Sequence, residues 1–379
     1  DGNVKLCPPI FEPHLLNLER ARAIRESCDV LVNISGAIMD VQEAERVLRE
    51  GAADLVLLGR SLVADPFWPK KVLEGREDDI VPCIRCNNCY HIATEHFNTC
   101  CTVNPRVYRE NRVPLTLPRA QTARSVVVVG GGPAGLKAAL TAAQRGHQVT
   151  LVEQSGALGG LMIPASVGAF KEDLRRYLSY LRRQVEKSQI HVMLHTCADR
   201  ALLEHLHPDA VILAVGGRTV MPPVPGLGTS GAVQAVALLN AGLETAGTRV
   251  TILGGGSIGC ELALELAALD RMVTVVELRD KLAANGNELY RQDLMLHLEQ
   301  ETRITILTQT VCTGVTAQGC TVREKDGGTR VIPHDTFVIA AGLRADADAV
   351  EALYGVVPET YYVGDCKRAA SITEATTEA

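Results

Sequence analysis

The stretch Ser125-Val126-Val127-Val128-Val129-Gly130-Gly131-Gly132-Pro133-Ala134-Gly135 decides the fold. A run of β-branched residues stops at a glycine turn, and an alanine-rich helical pattern follows. Gly130 permits the tight turn out of the strand, and Gly132 lets backbone approach a pyrophosphate. Gly135 lets the helix pack closely on the sheet, and the helix N-terminus supplies an anion site. The next strand, Val149-Thr150-Leu151-Val152, ends on Glu153, placed to accept the ribose hydroxyls of an adenosine. A glycine triplet alone carries little information. Between a strand and a helix, with its acid at this distance, it predicts a dinucleotide-binding fold.

The arrangement returns downstream as Arg249-Val-Thr-Ile-Leu-Gly254-Gly255-Gly256-Ser-Ile-Gly259, with Met272-Val-Thr-Val-Val-Glu277 as its second strand. The alternative, one working site and one decayed copy, remains open at this point. Two elements bracket the first loop. Leu158-Gly159-Gly160 follows Glu153, and Tyr361-Tyr362-Val363-Gly364-Asp365 lies near the end of the sequence. The glycine turn admits a second pass of backbone along a flavin, and the amides and carboxylate of Gly364–Asp365 reach for a ribityl chain or pyrophosphate. The second loop has no such brackets. The expectation is an FAD fold interrupted by an NAD(P) fold. Glu277 would bond a free 2′-hydroxyl and repel a 2′-phosphate, which favours NADH over NADPH, with Arg279 close enough to soften the preference.

Upstream, residues 81–118 lack periodicity and read as a loop-rich module. They contain Cys83-Ile84-Arg85-Cys86-Asn87-Asn88-Cys89, then Cys100-Cys101-Thr102-Val103-Asn104-Pro105. Cysteines at i, i+3 and i+6 converge on one centre, and a fourth from downstream closes it. Zinc sites use two separated Cys-x2-Cys pairs, so this spacing fits a [4Fe–4S] cluster better than a zinc knuckle or free thiols. Cys83, Cys86, Cys89 and Cys101 are the expected ligands, with Cys100 as the substitute for Cys101. Arg85 and Asn87 are expected to shape the turn and to donate hydrogen bonds to sulfur. His91 and His96 read as solvated or outlying groups. The remaining seven of twelve cysteines (Cys7, Cys28, Cys197, Cys260, Cys312, Cys320 and Cys366) read as small buried hydrophobes. Crowded thiols of this kind point to a metal in a reducing cytoplasm rather than to a disulfide framework.

Residues 1–80 alternate helical patterns (15–28 and 41–51) with apolar strands (30–34 and 54–58), the signature of parallel βαβ units. The strands end at Ser35–Gly36 and Gly59–Arg60. With 46% hydrophobic and 22% charged residues the composition is that of an ordinary globular protein. A net charge of −6 without a long basic run argues against nucleic acid. No apolar run approaches the roughly 20 residues of a membrane helix, and the start DGNVKLCPPI has no signal-peptide pattern. The arginine-rich stretch 174–183 reads as an exposed helix face, and Tyr177 and Tyr180 on it take no catalytic role.

The cysteine motif with its trailing Val103-Asn104-Pro105, then Gly130–Gly135, Gly254–Gly259 and Gly364–Asp365 in that order, resembles one family across nearly the whole chain. It is the NADH:flavin oxidoreductase family that contains bacterial 2,4-dienoyl-CoA reductase and trimethylamine dehydrogenase. The resemblance implies an FMN-binding (β/α)8 barrel, of which residues 1–80 would be the last two units, with Ser35, Gly36, Gly59 and Arg60 holding the FMN phosphate. Strands one to six of that barrel, with the substrate pocket and proton donor, would then lie outside this sequence, which reads as part of a longer polypeptide. The expected organisation is an α/β protein. Residues 1–80 would be barrel remnant, 81–118 cluster module and linker, 119–220 with 336–379 the FAD domain, and 221–335 the inserted NAD(P) domain.

The implied activity runs electrons from NADH through FAD and the cluster to FMN, and so to an activated C=C bond of a small unsaturated substrate. Reversed flow from an amine, or service as an electron-transfer module for another subunit, are the alternatives. A partner is expected, either a second copy or the missing barrel segment, because two barrel strands leave open edges.

Overall fold

The computed structural model describes residues 6–96 and 98–379. The chain divides into two compact units: one of residues up to Met162 with Glu172–Gly217 and Ala345–Ala379, the other of Ile163–Lys171 with Arg218–Arg344.

In the first unit, five parallel strands lie in the order Glu359–Tyr362, Ala210–Leu213, Ser125–Val129, Gln148–Val152, His191–Met193. The valine run is central because it is apolar on both faces, as a doubly covered parallel strand must be. Val127, Val129, Val152, Val211 and Leu213 form its core with Leu203 and Leu353. Each such side chain, fully buried, contributes about 1.5–3 kcal/mol relative to exposure. The helix Pro133–Gln144 follows the central strand directly, with proline in its first turn where no donor is lost.

Residues before 80 form a parallel pair, Asn33–Ile34 with Leu55–Val56. These strands are shorter than the expected 30–34 and 54–58. Ile34, Val47, Ala52 and Trp68 sit in a buried cluster, whereas Val30, Leu31, Leu55 and Leu57 are exposed, Leu31 at 79%. Among the described residues no further strand lies beside this pair, so its apolar residues stay uncovered, and only two residues on each side form the ladder.

The second unit carries another parallel sheet, ordered Ile304–Leu307, Met272–Val276, Arg249–Leu253, Thr336–Ile339, Val233–Gln234. Beside it in sequence lies an antiparallel three-strand meander, Val311–Val315, Gly319–Arg323 and Thr329–Pro333. The boundary expected after residue 335 thus moves to Arg344, because Thr336–Ile339 pairs with Arg249–Leu253. A four-residue apolar strand carries no mark of which sheet it joins. The cysteine module also differs from a bare loop, since Asn88–His96 is helical. Among the described residues, no helix is long and apolar enough to cross a membrane.

Candidate active site: two nucleotide loops and a cysteine cavity

Gly130 carries a φ of +106° and turns the chain out of the central strand. A methyl group on Gly135 would lie 1.8 Å from the Gly130 carbonyl oxygen, so only glycine lets the helix start this close to the strand. Gly132 is different: a Cβ there meets nothing within 4 Å. Its side faces open space at the helix N-terminus, where an approaching pyrophosphate would lie. Glu153 is buried, and each of its oxygens accepts one backbone amide, Gly131 N at 2.7 Å and Ser155 N at 2.7 Å. It anchors the loop.

The Gly159–Gly160 turn lies directly against this loop. Gly159 N donates to Gly131 O at 2.7 Å, and a Cβ on Gly160 would lie 2.9 Å from Gly132 Cα. Gly364 abuts Ala134 on the other side, 2.7 Å from its own added Cβ to the Ala134 methyl. Asp365 accepts from Ala370 N at 3.0 Å, and burial pushes its carboxyl above the ordinary range. Residues from four separate stretches therefore meet at one glycine loop, a cradle fit for FAD.

The second unit repeats the pattern within its own bounds. A Cβ on Gly259 would lie 2.0 Å from Gly254 O, and one on Gly256 meets nothing within 4 Å. Glu277 accepts from Gly255 N at 2.6 Å and from Arg279 N at 2.7 Å. Both loops carry the same amide-to-carboxylate geometry, so the second is built like the first and suits a nucleotide equally.

Cys83, Cys86, Cys89 and Cys101 line one small cavity with Arg60, Asn87, Thr102 and Val103. Cys100 does not line it. Instead its sulfur accepts from Asn88 Nδ2 at 3.4 Å. Burial pushes the Cys83 thiol up to about 12 and that of Cys89 to about 11, and it raises Cys101 further. Thiols raised in this way become thiolates only beside a strongly positive centre, and four sulfurs around one cavity fit an iron–sulfur cluster. Among the described residues no cysteine is in a disulfide. Of the seven others, Cys28 and Cys197 are exposed and Cys7 is half-buried, against the expectation of burial. They fall at a helix end and in a connecting segment, where a small residue is tolerated without a core to join.

Arg85 and Asn87 shape the turn as expected, with φ of +47° and +57°. Their side chains do not reach sulfur. The Arg85 guanidinium donates to Pro9 O and Glu12 O at 2.7 Å and to Asp173 at 2.5 Å, while Asn87 donates to Cys7 O and accepts from Arg60. Arg85 does donate to sulfur, through its backbone: Arg85 N lies 3.4 Å from Cys83 Sγ. Side-chain contacts to sulfur come from Asn88, to Cys100, and from Thr102, whose hydroxyl lies 3.2 Å from Cys86 Sγ. These ties depend on tertiary placement, and no local pattern marks them. His91 is half-buried on the helix Asn88–His96, and the side chain of His96 lies outside the described residues.

His14 carried no sequence signal, yet it joins this framework. Its Nδ1 lies 2.5 Å from Glu43 and its Nε2 lies 3.1 Å from Asp173, which in turn pairs with Arg85. Burial opposes the imidazolium, but the two carboxylates outweigh it and hold the His14 pKa up to about 9. A folded value above the unfolded value of about 6.5 stabilises the fold fully below pH 6.5, and the contribution disappears as pH rises through 9. The shift corresponds to about 3 kcal/mol. Urea denaturation followed by the fluorescence of the one tryptophan, buried Trp68, is expected to show a lower midpoint at pH 10 than at pH 6.5. His14→Gln should flatten that difference, and a midpoint equally pH-dependent in the variant would remove His14 from the account.

Ser35–Gly36 and Gly59–Arg60 follow the two N-terminal strands. Gly36 has a φ of +125°, and Asn17 Nδ2 donates to Ser35 O at 2.8 Å. Gly59 opens the short helix Arg60–Ala64 and has open space at its Cβ position. Arg60 turns toward the cysteine cavity, donating to Asn87. The arginine-rich stretch is only in part the exposed face expected: Arg175 is exposed, whereas Arg176 and Arg182 are half-buried. It lies on the helix Glu172–Glu186, where Arg176 pairs with Asp40 at 3.2 Å, Arg182 donates to Leu158 O at 2.8 Å and Arg183 pairs with Asp78 at 3.7 Å. Tyr177 is buried on that helix, stacked on Tyr180.

The chain is 36% identical over 352 residues to an NADH oxidase of Thermoanaerobacter brockii, covering 90% of this chain and 54% of that relative. A bilirubin reductase of Mediterraneibacter gnavus is 33% identical over 382 residues, covering all of this chain and 59% of the relative. Among solved structures, a 2-naphthoyl-CoA reductase in complex with 2-naphthoyl-CoA matches with a TM-score of 0.92 and 27% identity, over 98% of this chain and 56% of that one. The chain thus spans a little over half the length of the relatives it matches. The resemblance to the NADH:flavin oxidoreductases read from its motifs holds. The family model of the pyridine nucleotide-disulphide oxidoreductases matches residues 124–363, well over half of the sequence, and the chain belongs to that family.

Proposed function

We propose that the chain is the electron-input part of an NADH-dependent flavin and iron–sulfur oxidoreductase that reduces an activated C=C bond of an enoyl- or dienoyl-type substrate. In this reading bound FAD would supply hydride acceptance from NADH, a [4Fe–4S] cluster held by the cysteines would supply single-electron transfer, and FMN would supply reduction of the substrate. The observation that carries it is the cavity walled by Cys83, Cys86, Cys89 and Cys101, in one chain with two glycine loops of matching geometry.

Each residue then has a plain task. The open backbone at Gly132 and at Gly256 receives a pyrophosphate at a helix N-terminus. Glu153 and Glu277 orient their loops and accept ribose hydroxyls, and the carboxylate of Glu277 disfavours a 2′-phosphate. Gly159, Gly160, Gly364 and Asp365 close the FAD side. Ser35, Gly36 and Gly59 offer loop backbone to the FMN phosphate, and Arg60 adds charge between that site and the cysteines. Two supports come from the similar proteins, named as reductases of bilirubin and of 2-naphthoyl-CoA. Leu31, Leu55 and Leu57 need cover, which further barrel strands of a longer polypeptide, or a second copy, would supply. Cysteines outside any disulfide support a reducing cytoplasm as the compartment in this reading.

The test is an anaerobic assay of iron, sulfide and flavin, with spectra before and after nucleotide. About four irons per chain and flavin that bleaches faster with NADH than with NADPH are expected. Zinc in place of iron, or flavin that ignores both nucleotides, would overturn the reading at an identifiable step.

A further inference from the structure

The sulfur of Cys86 is held by a chain of hydroxyls that reaches the C-terminal helix. Thr102 Oγ1 lies 3.2 Å from Cys86 Sγ and 2.8 Å from Thr373 Oγ1, and Asn88 Nδ2 donates to Thr373 Oγ1 at 3.1 Å. Thr102 and Thr376 are buried, and Thr376 donates its hydroxyl to Thr102 O at 2.6 Å. The second amide hydrogen of Asn88 goes to Cys100 Sγ at 3.4 Å. Thr373 and Thr376 lie on the helix Ile372–Glu378, begun by a Ser371–Glu374 capping box. Ala375 of the same helix packs with Ala134, Ala214 and Val363 beside the first nucleotide loop. Its Glu378 accepts from Gly364 N at 3.0 Å.

We propose that Thr102 and Thr373 are positioning residues that set the reduction potential of the centre held by the four cysteines. The inference rests on the reading of those cysteines as a cluster site. A metal-bound Cys86 thiolate has no proton, so Thr102 must donate to it. The Thr102 oxygen then accepts from Thr373, and the Thr373 oxygen accepts from Asn88. Every hydrogen in the chain points the same way, toward sulfur. Each donor polarises the next, so the last bond is stronger than an isolated hydroxyl would make it. Reduction adds negative charge at the sulfurs, and a donor aimed there stabilises the reduced form more than the oxidised one. The potential is therefore higher with the chain intact. Because the helix that carries Thr373 also packs beside Ala134 and ties down Gly364, the same element holds the first nucleotide loop and the cysteine loop in register.

The test is a redox titration of the holoprotein followed by electron paramagnetic resonance, with iron and labile sulfide measured in each sample. Thr102→Val is expected to keep its iron and shift the midpoint to a more negative potential. Thr373→Val, which leaves Thr102 in place, should shift it less in the same direction, and Thr102→Ser should restore the wild-type value. Full iron with an unchanged midpoint in Thr102→Val overturns the inference and leaves the cluster reading standing. Should Thr102→Val lose its iron, Thr373→Val decides: an unmoved midpoint there overturns the inference. A wild-type protein without iron overturns the cluster reading and this inference together.

Discussion

Cys101→Ser is expected to strip the protein of most of its iron and sulfide, while Cys100→Ser keeps them. The two residues are neighbours in sequence, yet only Cys101 lines the cavity with Cys83, Cys86 and Cys89. Cys100 spends its sulfur on Asn88. Loss of a ligand thiolate removes one bond to the metal and costs more than loss of an outlying hydrogen-bond partner. Iron content after anaerobic purification should therefore fall more than tenfold in the first variant and stay near the wild-type value in the second. Equal loss in both, or loss confined to Cys100→Ser, would show that the cavity is not the metal site. Serine is nearly the size of cysteine, so a folding defect is a poor explanation for a difference between adjacent positions.

Gly132→Ala and Gly256→Ala are expected to fold normally and to lose their nucleotides selectively. Both positions have extended backbone that alanine adopts, with φ of −73° and −68°, and both Cβ positions meet open space. A methyl group there obstructs only something that approaches from outside. Gly132→Ala should lose FAD by tenfold or more, whereas Gly256→Ala should retain FAD and lose its bleaching by NADH. The neighbouring Gly135→Ala separates this effect from misfolding. Its methyl collides with the Gly130 carbonyl at 1.8 Å, and such overpacking costs about 1–3 kcal/mol or more, so its thermal midpoint should drop along with its flavin. Unchanged flavin content in Gly132→Ala would remove the first loop as a binding site.

The nucleotide loops were legible because everything that makes them is local. Strand, glycine turn, helix and the acid at the end of the next strand occupy fewer than about 30 residues, within the length of one βαβ unit. The order of Gly130–Gly135, Gly254–Gly259 and Gly364–Asp365 was equally visible. The cysteine spacing pointed to one centre, and the choice between Cys100 and Cys101 was open until the fold turned one inward. Short apolar strands were less informative. The sequence assigns Thr336–Ile339 to the FAD fold, yet the strand pairs with Arg249–Leu253, because a strand's residues show that it is buried but not which neighbour pairs with it.

The sequence by itself determined that this chain builds two dinucleotide loops and a four-thiol site, since local backbone sterics and short-range spacing dictate both. Only the tertiary structure decided what surrounds them. His14, Glu43 and Asp173 meet Arg85 across as many as 159 positions, Thr373 reaches Thr102 across 271, and the arginines of Glu172–Glu186 find carboxylates near the N-terminus. Such contacts leave no periodic trace. They arise when packed helices and strands bring distant polar groups into a buried space where each must find a partner.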